Sequence, residues 1–542
     1  MPKLSTIHPF LFAIFPIILL YSQNIHLLPI EEIIIPILLV VGLGTISWII
    51  LNYFLRNMLK AGLIVSLFLV TFFSYGHVYN ILDDVSFLGF DIGRHIFLLI
   101  PFFVVLVLGI IYLLKTKRKL NNLSSVVNVI SITAVLIIAV NVVVDISQEN
   151  YFGSQKLGMD EKFLGVGASK QPFLEILSPP NENKYTTSNV STAKSDMPDI
   201  YYIILDEYSS NHALKKFFDY DNLQFLSYLK EKGFFVVSPS YTNYPTTVQS
   251  LGSSLNMDYI NYLSEEAGID SKNYHLLNDI LSRNKVMEIL QTNQYNVVNM
   301  GAMWGPNNEF QNVNANLCEF KEFSRDSLMR ELQHITMLSY LQEKLVEEGR
   351  RDRILCVFDE LSTLNQTFSS PKFVFAHIML PHAPYIFGPN GENVNPGISL
   401  DGKPWDPKKA HIDQIKFANK KIRILVDTLL SQNNNSIMII QGDTGSAFSG
   451  DWDNPSEDLI IERMSNLNAI YFPNGNYEAF SEYITPVNSF RIIFNEFFDA
   501  NYVLLEDNMY WSTGSKPYAH NDVTNLLLND NKMNQKVKQL TK

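Results

Sequence analysis

Positive charge is scarce in this 542-residue chain, which has 42 Lys and Arg residues against 54 Asp and Glu residues and a net charge of −12. A nucleic-acid-binding protein needs a basic surface that neutralises phosphates, so we expect no nucleic-acid partner. Cysteine is rarer still, because only Cys318 and Cys356 are present and neither lies in a CxxC or Cys/His pattern. This excludes a zinc finger and a dithiol redox motif. Two alternatives remain, one disulfide or two buried thiols.

Charged residues are also sparse in the first 145 residues, where Ile, Leu, Val and Phe dominate. A run of about 20 apolar residues is long enough to cross the hydrocarbon core of a bilayer. A cleaved signal peptide is the alternative for the first, short run, but no small-residue cleavage site follows it. We therefore predict a five-helix membrane anchor over residues 1–145, with spans at 8–22, 33–55, 61–82, 96–114 and 124–144.

Basic residues occur in alternate loops between these runs. Loops rich in Lys and Arg remain in the cytoplasm, so five crossings from a cytoplasmic N-terminus place everything after Val144 outside it. We therefore expect the large C-terminal part to be extracytoplasmic, in the periplasm or on the cell exterior. Seven basic residues precede the first run or separate the second from the third and the fourth from the fifth: Lys3, Arg56, Lys60, Lys115, Lys117, Arg118 and Lys119. Arg94 is the only cation between the third and fourth runs, where Asp83, Asp84 and Asp91 also lie.

The composition changes after the last run. Residues 146–197 are polar and turn-forming, include Ser178-Pro179-Pro180, and are typical of a juxtamembrane connection and linker. Over 198–530, short runs rich in β-branched and aromatic residues alternate with amphipathic stretches, which predicts an α/β domain with a mostly parallel sheet. The predicted strands are Ile200–Leu205, Phe234–Val237, Val297–Asn299, Phe373–His377, Ile437–Gln441 and Ala469–Phe472, and the predicted helices include Asp221–Lys232, Arg330–Glu348 and Lys408–Ser431.

Polar residues follow three of the predicted strands. Asp206-Glu207 follows the first, His377 and His382 follow the Phe373 strand, and residues 442–445 (Gly-Asp-Thr-Gly) follow the Ile437 strand. Parallel strands end at one edge of the sheet, so these carboxylates and imidazoles could converge on a cation. Taken singly, each has an ordinary structural alternative: a helix cap, a packed core histidine at His377, a rigid loop at His382, a tight turn, and a surface hydroxyl at Thr247.

Taken in order along the chain, four segments resemble the alkaline phosphatase superfamily in its sulfatase-like branch. They are residues 198–207, 243–251, 381–385 and 442–445. The anchor ahead of them is similar to that of lipoteichoic acid synthases and lipid A phosphoethanolamine transferases. The resemblance implies a three-layer sandwich around a mostly parallel sheet, in a multi-pass protein of the bacterial inner (plasma) membrane.

The same resemblance implies roles for individual residues. Thr247 matches the nucleophile that becomes phosphorylated in the membrane transferases, and Asp206 and Asp443 match carboxylates that hold the metal. His382 matches the histidine that contacts the transferred group or the leaving oxygen, and Glu207 matches a second acid of the sulfatases. Thr247 is also expected to ligate the metal, since coordination of a hydroxyl to a dication generates the alkoxide near neutral pH.

Position 444 departs from the family pattern, because Thr444 stands where the family has a metal-binding histidine. A hydroxyl is a weaker ligand than imidazole, so zinc affinity should fall, and an oxygen-rich ligand set favours manganese, magnesium or calcium. His377, His382 or His520 could supply the missing imidazole. We expect one or two divalent cations, with zinc or manganese as the candidates.

Two functions compete on this evidence. The first is a metal-dependent hydrolase or transferase that moves a phosphoethanolamine- or phosphoglycerol-type group from a membrane lipid donor to a cell-surface glycan or glycolipid through a phosphothreonine. Thr247 favours a transferase over a sulfatase, because sulfatases need a cysteine or serine that is converted to formylglycine. The second is a catalytically silent relative with a binding or assembly role, which Thr444 favours. A transporter is disfavoured, since the apolar runs contain almost no ionisable residue apart from His77.

Overall fold

The chain divides into two compact units, residues 1–170 with 321–346 (unit 1) and residues 171–320 with 347–542 (unit 2). The predicted linker motif at 178–180 lies outside the residues that the structure describes. The computed structural model describes residues 6–23, 33–82, 86–87, 90–91, 95–160, 197–301, 310, 313–318, 327–394 and 406–530.

Unit 1 begins with apolar helices that match the five predicted runs. Four segments are long and apolar enough to cross a membrane, namely Ile34–Leu55, Met58–Leu82, Phe97–Lys115 and Asn121–Val144. The first helix has only 16 residues, about 24 Å of helix against a hydrocarbon core of about 30 Å. A fifth crossing therefore stays a prediction. The elements are α1 (His8–Gln23), α2 (Ile34–Leu55), α3 (Met58–Leu82), β1 (Ser86–Phe87), β2 (Phe90–Asp91), α4 (His95–Lys115) and α5 (Asn121–Asp160).

The fifth helix extends beyond the end of the predicted span at residue 144. It continues to Asp160, since no proline interrupts the chain between Asn121 and Asp160. The predicted connection at 146–197 therefore begins as helix.

Helices and strands alternate after residue 196. The strands are β3 (Asp199–Leu205), β4 (Phe235–Val236), β5 (Asn296–Met300), β6 (Ala315–Leu317), β7 (Lys372–Ile378), β8 (Ser436–Gly442), β9 (Asn468–Tyr471), β10 (Tyr510–Thr513) and β11 (Lys516–Asp522). The helices are α6 (Asn211–Phe218), α7 (Leu223–Glu231), α8 (Thr247–Asn256), α9 (Leu263–Ala267), α10 (His275–Ser282), α11 (Lys285–Thr292), α12 (Ser327–His334), α13 (Ser339–Thr367), α14 (Pro407–Gln432), α15 (Glu457–Met464) and α16 (Ser489–Phe497), with a 3-10 turn at Pro486–Asn488.

Seven strands form one mostly parallel sheet in the order β4-β9-β8-β3-β7-β5-β6. The strands from β8 to β6 run parallel, while β9 and β4 pair antiparallel at one side. All six predicted strands are present in this sheet. Leu205 of β3 is level with Ile378 of β7 and Gly442 of β8, so three neighbouring strands end together. Residues that follow these ends are thereby brought to one edge.

Strand β3 is buried on both faces. Its odd-numbered residues from Tyr201 to Leu205 lie in one apolar core with helices α13 and α14. Its even-numbered residues from Ile200 to Ile204 lie in a second core with α8, α11 and α16. A central parallel strand covered by helices on both sides has no polar face, which explains its continuous apolar sequence. Unit 2 therefore contains a helix–sheet–helix sandwich.

The two cysteines form a disulfide between Cys318, just after β6, and Cys356 of α13. This decides between the alternatives left open by the sequence. Cross-linking residues 38 positions apart restricts the unfolded chain and stabilises the fold by about 3–4 kcal/mol. Disulfides persist in oxidising compartments, which agrees with an extracytoplasmic unit 2.

One segment of the predicted extracytoplasmic domain belongs to unit 1. Residues 321–346 cluster with the apolar helices, although the sequence predicts 198–530 as one domain. Leu328, Leu332 and Ile335 are buried in an apolar cluster with residues of α1, α2 and α3. The segment is thus held by apolar contacts with the helices of unit 1.

Backbone hydrogen bonds join the same segment to α3. The N–H of Gly76 donates to Ile335 O (3.0 Å), and the N–H of Met337 donates to Phe72 O (3.1 Å). The prediction of one continuous helix over 330–348 is wrong, because the chain leaves helical geometry at residues 335–338, between α12 and α13. A helix-compatible sequence is overridden here by pairing with a neighbouring helix.

We expect Leu332→Ala to destabilise the detergent-solubilised full-length chain by about 2–5 kcal/mol, because it leaves a cavity in a packed cluster. Leu338→Ala is the matched control, since Leu338 lies in the same segment but is 51% exposed. Thermal unfolding of both variants measures the effect. Equal melting temperatures would contradict the packing of α12 into unit 1.

Candidate functional site

Asp206, His377 and Asp443 meet at the carboxyl edge of the sheet, all three buried. One potential ligand atom from each lies within 4.8 Å of the others. Asp206 directly follows β3, Asp443 directly follows β8, and His377 is the penultimate residue of β7. The adjacent positions and matched ends of these strands bring the three side chains together.

The hydrogen bonds in this cluster leave two oxygens unused. His377 Nε2 lies 3.1 Å from Asp206 Oδ2. Asp443 Oδ1 accepts from the backbone N–H of Glu207 (3.0 Å) and Thr444 (2.8 Å). Among the described residues, Asp206 Oδ1 and Thr444 Oγ1 are buried without a hydrogen-bond partner. Orphaned oxygens beside two carboxylates and an imidazole are a donor set that fits a divalent cation.

The two carboxylates perturb each other because both are buried. Burial, and next the charge of Asp206, raise the pKa of Asp443 to about 6. Burial also favours a raised pKa for Asp206, but the hydrogen bond from His377 and the charges of His382 and Arg463 bring that pKa below its ordinary value. Burial lowers the pKa of His377, but bonding to Asp206 raises it overall. The site concentrates negative charge that a cation would offset.

Thr247 lies beside this cluster at the first position of α8. Its Oγ1 donates to Asp443 Oδ2 at 2.6 Å. A helix N-terminus presents free N–H groups and a partial positive charge, and so favours an anionic group. The hydroxyl of the neighbouring Thr246 bonds to a different group, since its Oγ1 donates to Gln249 Oε1 at 2.7 Å. The two adjacent threonines are therefore chemically distinct.

Two residues of α8, Ser250 and Gln249, hold this helix in place. Ser250 Oγ donates to the carbonyl oxygen of Asp443 at 2.7 Å. Gln249 Nε2 donates to Ser512 Oγ (2.9 Å) and Pro517 O (2.6 Å) of the β10–β11 hairpin. Ser250 belongs to the Thr-x-x-Ser pattern seen in the sequence, whereas the hairpin was not predicted.

His382 stands at the rim of the site, with its side chain 30% exposed. Its Nδ1–H donates to Ala383 O, which leaves Nε2 facing Glu207 Oε1 at 3.9 Å. Burial lowers the pKa of His382, but the charges of Asp206 and Glu207 raise it above its ordinary value. An imidazolium with a free Nε2 can donate a proton to a bound molecule.

Glu207 and His520 lie outside the buried cluster. Glu207 has a left-handed backbone (φ 60°) and forms an ion pair with Arg463 at 2.6 Å. His520 packs edge-on against Tyr244 with ring centroids 5.4 Å apart, and burial lowers its pKa to about 4. Among the described His, Cys, Asp and Glu side chains, those that come together as potential metal ligands are Asp206, His377 and Asp443, without Glu207 or His520. His377 is buried as a core histidine would be, yet it faces a carboxylate.

Arg463 is the residue at this site that sequence reasoning missed. It lies in the last turn of α15, in a segment where no motif points to chemistry. The adjacent charges Glu462-Arg463 just before the strand β9 are the one signal that could have drawn attention to it. A charged pair next to a buried strand needs buried partners.

A profile of the sulfatase family matches residues 198–496, more than half of the chain. The chain belongs to the sulfatase family. The superfamily resemblance carried by the four ordered segments is thereby confirmed. All four segments of that resemblance lie within the matched range.

Comparison with solved structures finds matches to different shares of the sulfatase-family chain. The C-terminal periplasmic domain of EptC from Escherichia coli, in a zinc complex, is 12% identical and covers 60% of this chain and 92% of its own, with a TM-score of 0.39. The integral membrane protein lipooligosaccharide phosphoethanolamine transferase A (EptA) from Neisseria meningitidis is 13% identical and covers 92% and 96%, with a TM-score of 0.35. No curated protein matches in sequence.

Asp443→Asn tests the repulsion inside the sulfatase-family site. The folded state holds the Asp443 proton up to about pH 6, against an ordinary pKa of 3.8. As the pH rises from 3.8 to about 6, the unfolded state loses this proton before the folded state does, so the folded state loses stability. The loss is complete above about pH 6. Without metal, we expect Asp443→Asn to unfold at a higher temperature than wild type above pH 6, but to lose zinc and manganese binding in calorimetric titration.

Asp270→Asn is the control for this substitution, because Asp270 is an acid whose side chain is 77% exposed. It should change neither melting temperature nor metal binding. Undiminished metal binding by Asp443→Asn would contradict the assignment of Asp443 to the cation site.

Thr444→Val removes one hydroxyl at nearly constant volume. Because Thr444 Oγ1 is buried without a partner in the described structure, we expect the metal-free variant to be more stable by about 1 kcal/mol. We expect its affinity for manganese to fall. Thr242→Val is the matched control, since the buried Thr242 hydroxyl is bonded to Ser250 Oγ at 2.7 Å and its loss should destabilise. Unchanged manganese affinity in Thr444→Val would show that position 444 supplies no ligand.

Proposed function

We propose that this chain is a membrane-anchored, metal-dependent transferase or hydrolase. It moves a phosphoethanolamine- or phosphoglycerol-type group from a lipid donor to a cell-surface glycan or glycolipid. One observation carries the proposal: the Thr247 hydroxyl, at a helix N-terminus, lies 2.6 Å from a carboxylate oxygen of the buried acidic cluster. This is the arrangement that an oxygen nucleophile needs, and the family supplies the ester chemistry.

The nucleophile decides between phosphate and sulfate esters in this proposal. Formylglycine forms from cysteine or serine, and position 247 is a threonine. An unmodified hydroxyl can attack phosphorus and carry the group as a phosphothreonine. The proposal therefore follows the transferases of the superfamily.

Asp206, His377 and Asp443 would hold the cation, with the Thr247 and Thr444 hydroxyls as further oxygen donors. Zinc suits the histidine, and manganese suits the oxygens. When bound, the cation lowers the pKa of the nucleophilic hydroxyl and offsets charge on the transferred group. His377 thus takes the place of the imidazole that Thr444 lacks.

In the first half-reaction, Thr247 Oγ1 attacks the phosphorus of the lipid donor. Its proton passes to Asp443 Oδ2, to which it is already hydrogen-bonded. The Oγ1–P bond forms as the bond from phosphorus to the lipid oxygen breaks. His382 Nε2 gives its proton to the departing alkoxide. The N-terminal N–H groups of α8 stabilise the added negative charge.

In the second half-reaction, neutral His382 takes the proton of the acceptor hydroxyl. The acceptor oxygen bonds to phosphorus, the Oγ1–P bond breaks, and Thr247 recovers its proton from Asp443. A sugar hydroxyl as acceptor gives transfer, and water gives hydrolysis. Donor and acceptor react in turn, so the kinetics should be ping-pong.

The anchor supports a lipid donor. Four helices suited to a membrane precede the catalytic domain, and a chain held at the bilayer meets lipid head groups at high local concentration. The Cys318–Cys356 disulfide supports an extracytoplasmic site. We place the protein in the inner membrane with residues 198–530 as its catalytic domain, apart from the segment that clusters with the anchor.

We expect the full-length chain, incubated with manganese and head-group-labelled phosphatidylethanolamine or phosphatidylglycerol, to form a covalent adduct on Thr247 that mass spectrometry detects. Thr247→Ala should abolish the adduct. Thr246→Ala is the matched control and should retain it, because the Thr246 hydroxyl is bonded to Gln249.

A wild-type chain that binds metal but forms no adduct with either lipid would contradict the proposed transfer. The neutral Thr444 at a ligand position would then favour the second function, a silent relative with a binding or assembly role.

A further inference from the structure

The guanidinium of Arg463 contacts three separate loops at the edge of the sheet. Its Nε donates to Pro245 O at 2.7 Å. Its Nη1 donates to Glu207 Oε1 at 2.6 Å and to Gly445 O at 2.8 Å. Three acceptors from three distant parts of the chain are thus joined by one side chain.

Each of these loops carries a group of the proposed reaction. Pro245 precedes the nucleophile Thr247 by two residues. Glu207 follows Asp206 directly, and Gly445 follows Asp443 by two residues. The positions of the nucleophile and of both carboxylates are therefore coupled through one guanidinium.

Arg463 is itself held in a fixed orientation. Its side chain is 7% exposed, and its guanidinium lies over the ring of Trp452 at 4.9 Å. Trp452 in turn stacks on the buried Trp511 with ring centroids 5.5 Å apart. The backbone of Arg463 adds a further bond, since Gly445 N–H donates to Arg463 O at 2.7 Å. A guanidinium that packs on an aromatic face loses little entropy when it forms these bonds.

Glu462, the residue before Arg463, forms hydrogen bonds with the same loop. Glu462 Oε1 accepts from Ser446 Oγ at 2.7 Å and from Phe448 N–H at 2.9 Å. Arg463 thus bonds to Gly445 and Glu462 to Ser446 and Phe448, so the two residues together fix the loop that follows Asp443. The C-terminal turn of α15 is a support for the site.

We propose that Arg463 is a positioning residue that sets the distance between Thr247 and the Asp206–Asp443 pair, an inference that rests on the proposed function. The guanidinium presents its donors on separate nitrogens in a rigid planar fork, and here Nε serves one acceptor while Nη1 serves two. Lysine would retain the charge opposite Glu207 but could not hold the Pro245 and Gly445 carbonyls together.

The test compares Arg463→Lys with Arg491→Lys in the full-length, detergent-solubilised chain. Arg491 is the matched control, because it is also buried and also donates to two backbone carbonyls, Met257 O and Val503 O, each at 2.7 Å. Both variants should lower the melting temperature to a similar extent. Only Arg463→Lys should weaken zinc or manganese binding, by about 10–100-fold. It should also slow adduct formation at saturating metal by about 100-fold, with Arg491→Lys near wild type.

A metal affinity and adduct rate for Arg463→Lys equal to those of Arg491→Lys would overturn the proposal while leaving the proposed function intact. Metal binding that depends on Arg463 in a chain that forms no adduct would overturn the proposed function but support positioning of the metal-binding carboxylates. A wild-type chain that binds neither metal overturns both.

If Arg463→Lys does not fold, Glu207 supplies a second comparison. Glu207→Gln retains an oxygen that accepts from Nη1, and Glu207→Ala does not. We expect metal affinity to fall further in Glu207→Ala than in Glu207→Gln. Equal losses would show that charge alone matters and would overturn the positioning role.

Discussion

Two buried carboxylates, Asp206 and Asp443, face each other where three parallel strands end. Their mutual repulsion is offset by the hydrogen-bond donors and positive charges that surround them. Like charges in a medium of low polarisability are tolerated only when donors and opposite charges surround them. His377 meets one carboxylate, while backbone N–H groups and the Thr247 hydroxyl meet the other. The oxygens that remain without partners in the described structure are of the donor type that suits a divalent cation.

Much of the fold follows from the sequence because central strands have no polar face. Strand β3 could be recognised from its uninterrupted apolar run, and the same holds for β7 and β8. Strand β6 has three residues, too few to show a pattern, and the β10–β11 hairpin carries polar residues that resemble a loop. The helix predicted at 330–348 is split because contacts with α3, which lie far away in sequence, replace its own hydrogen bonds.

Residues of the candidate site could be predicted from the sequence where an acidic side chain directly follows a recognisable strand, as at Asp206 and Asp443. The order of the segments around Thr247 and His382 supplied the remainder, and the family match confirms the superfamily that this order indicated. The placement of His377 beside Asp206 depends on the register of β7 against β3, which the sequence does not reveal. Arg463 could not be inferred, because its three acceptors are distant in sequence and meet only after folding.

The position of α12 has a practical consequence for anyone who wishes to isolate the catalytic part. A fragment that starts after the linker would carry Leu328, Leu332 and Ile335 without the helices that cover them. An uncovered apolar stripe of this kind promotes self-association in water. The sequence match to the sulfatase family is continuous, but the stretch around Leu328, Leu332 and Ile335 needs the apolar helices of unit 1 to cover it.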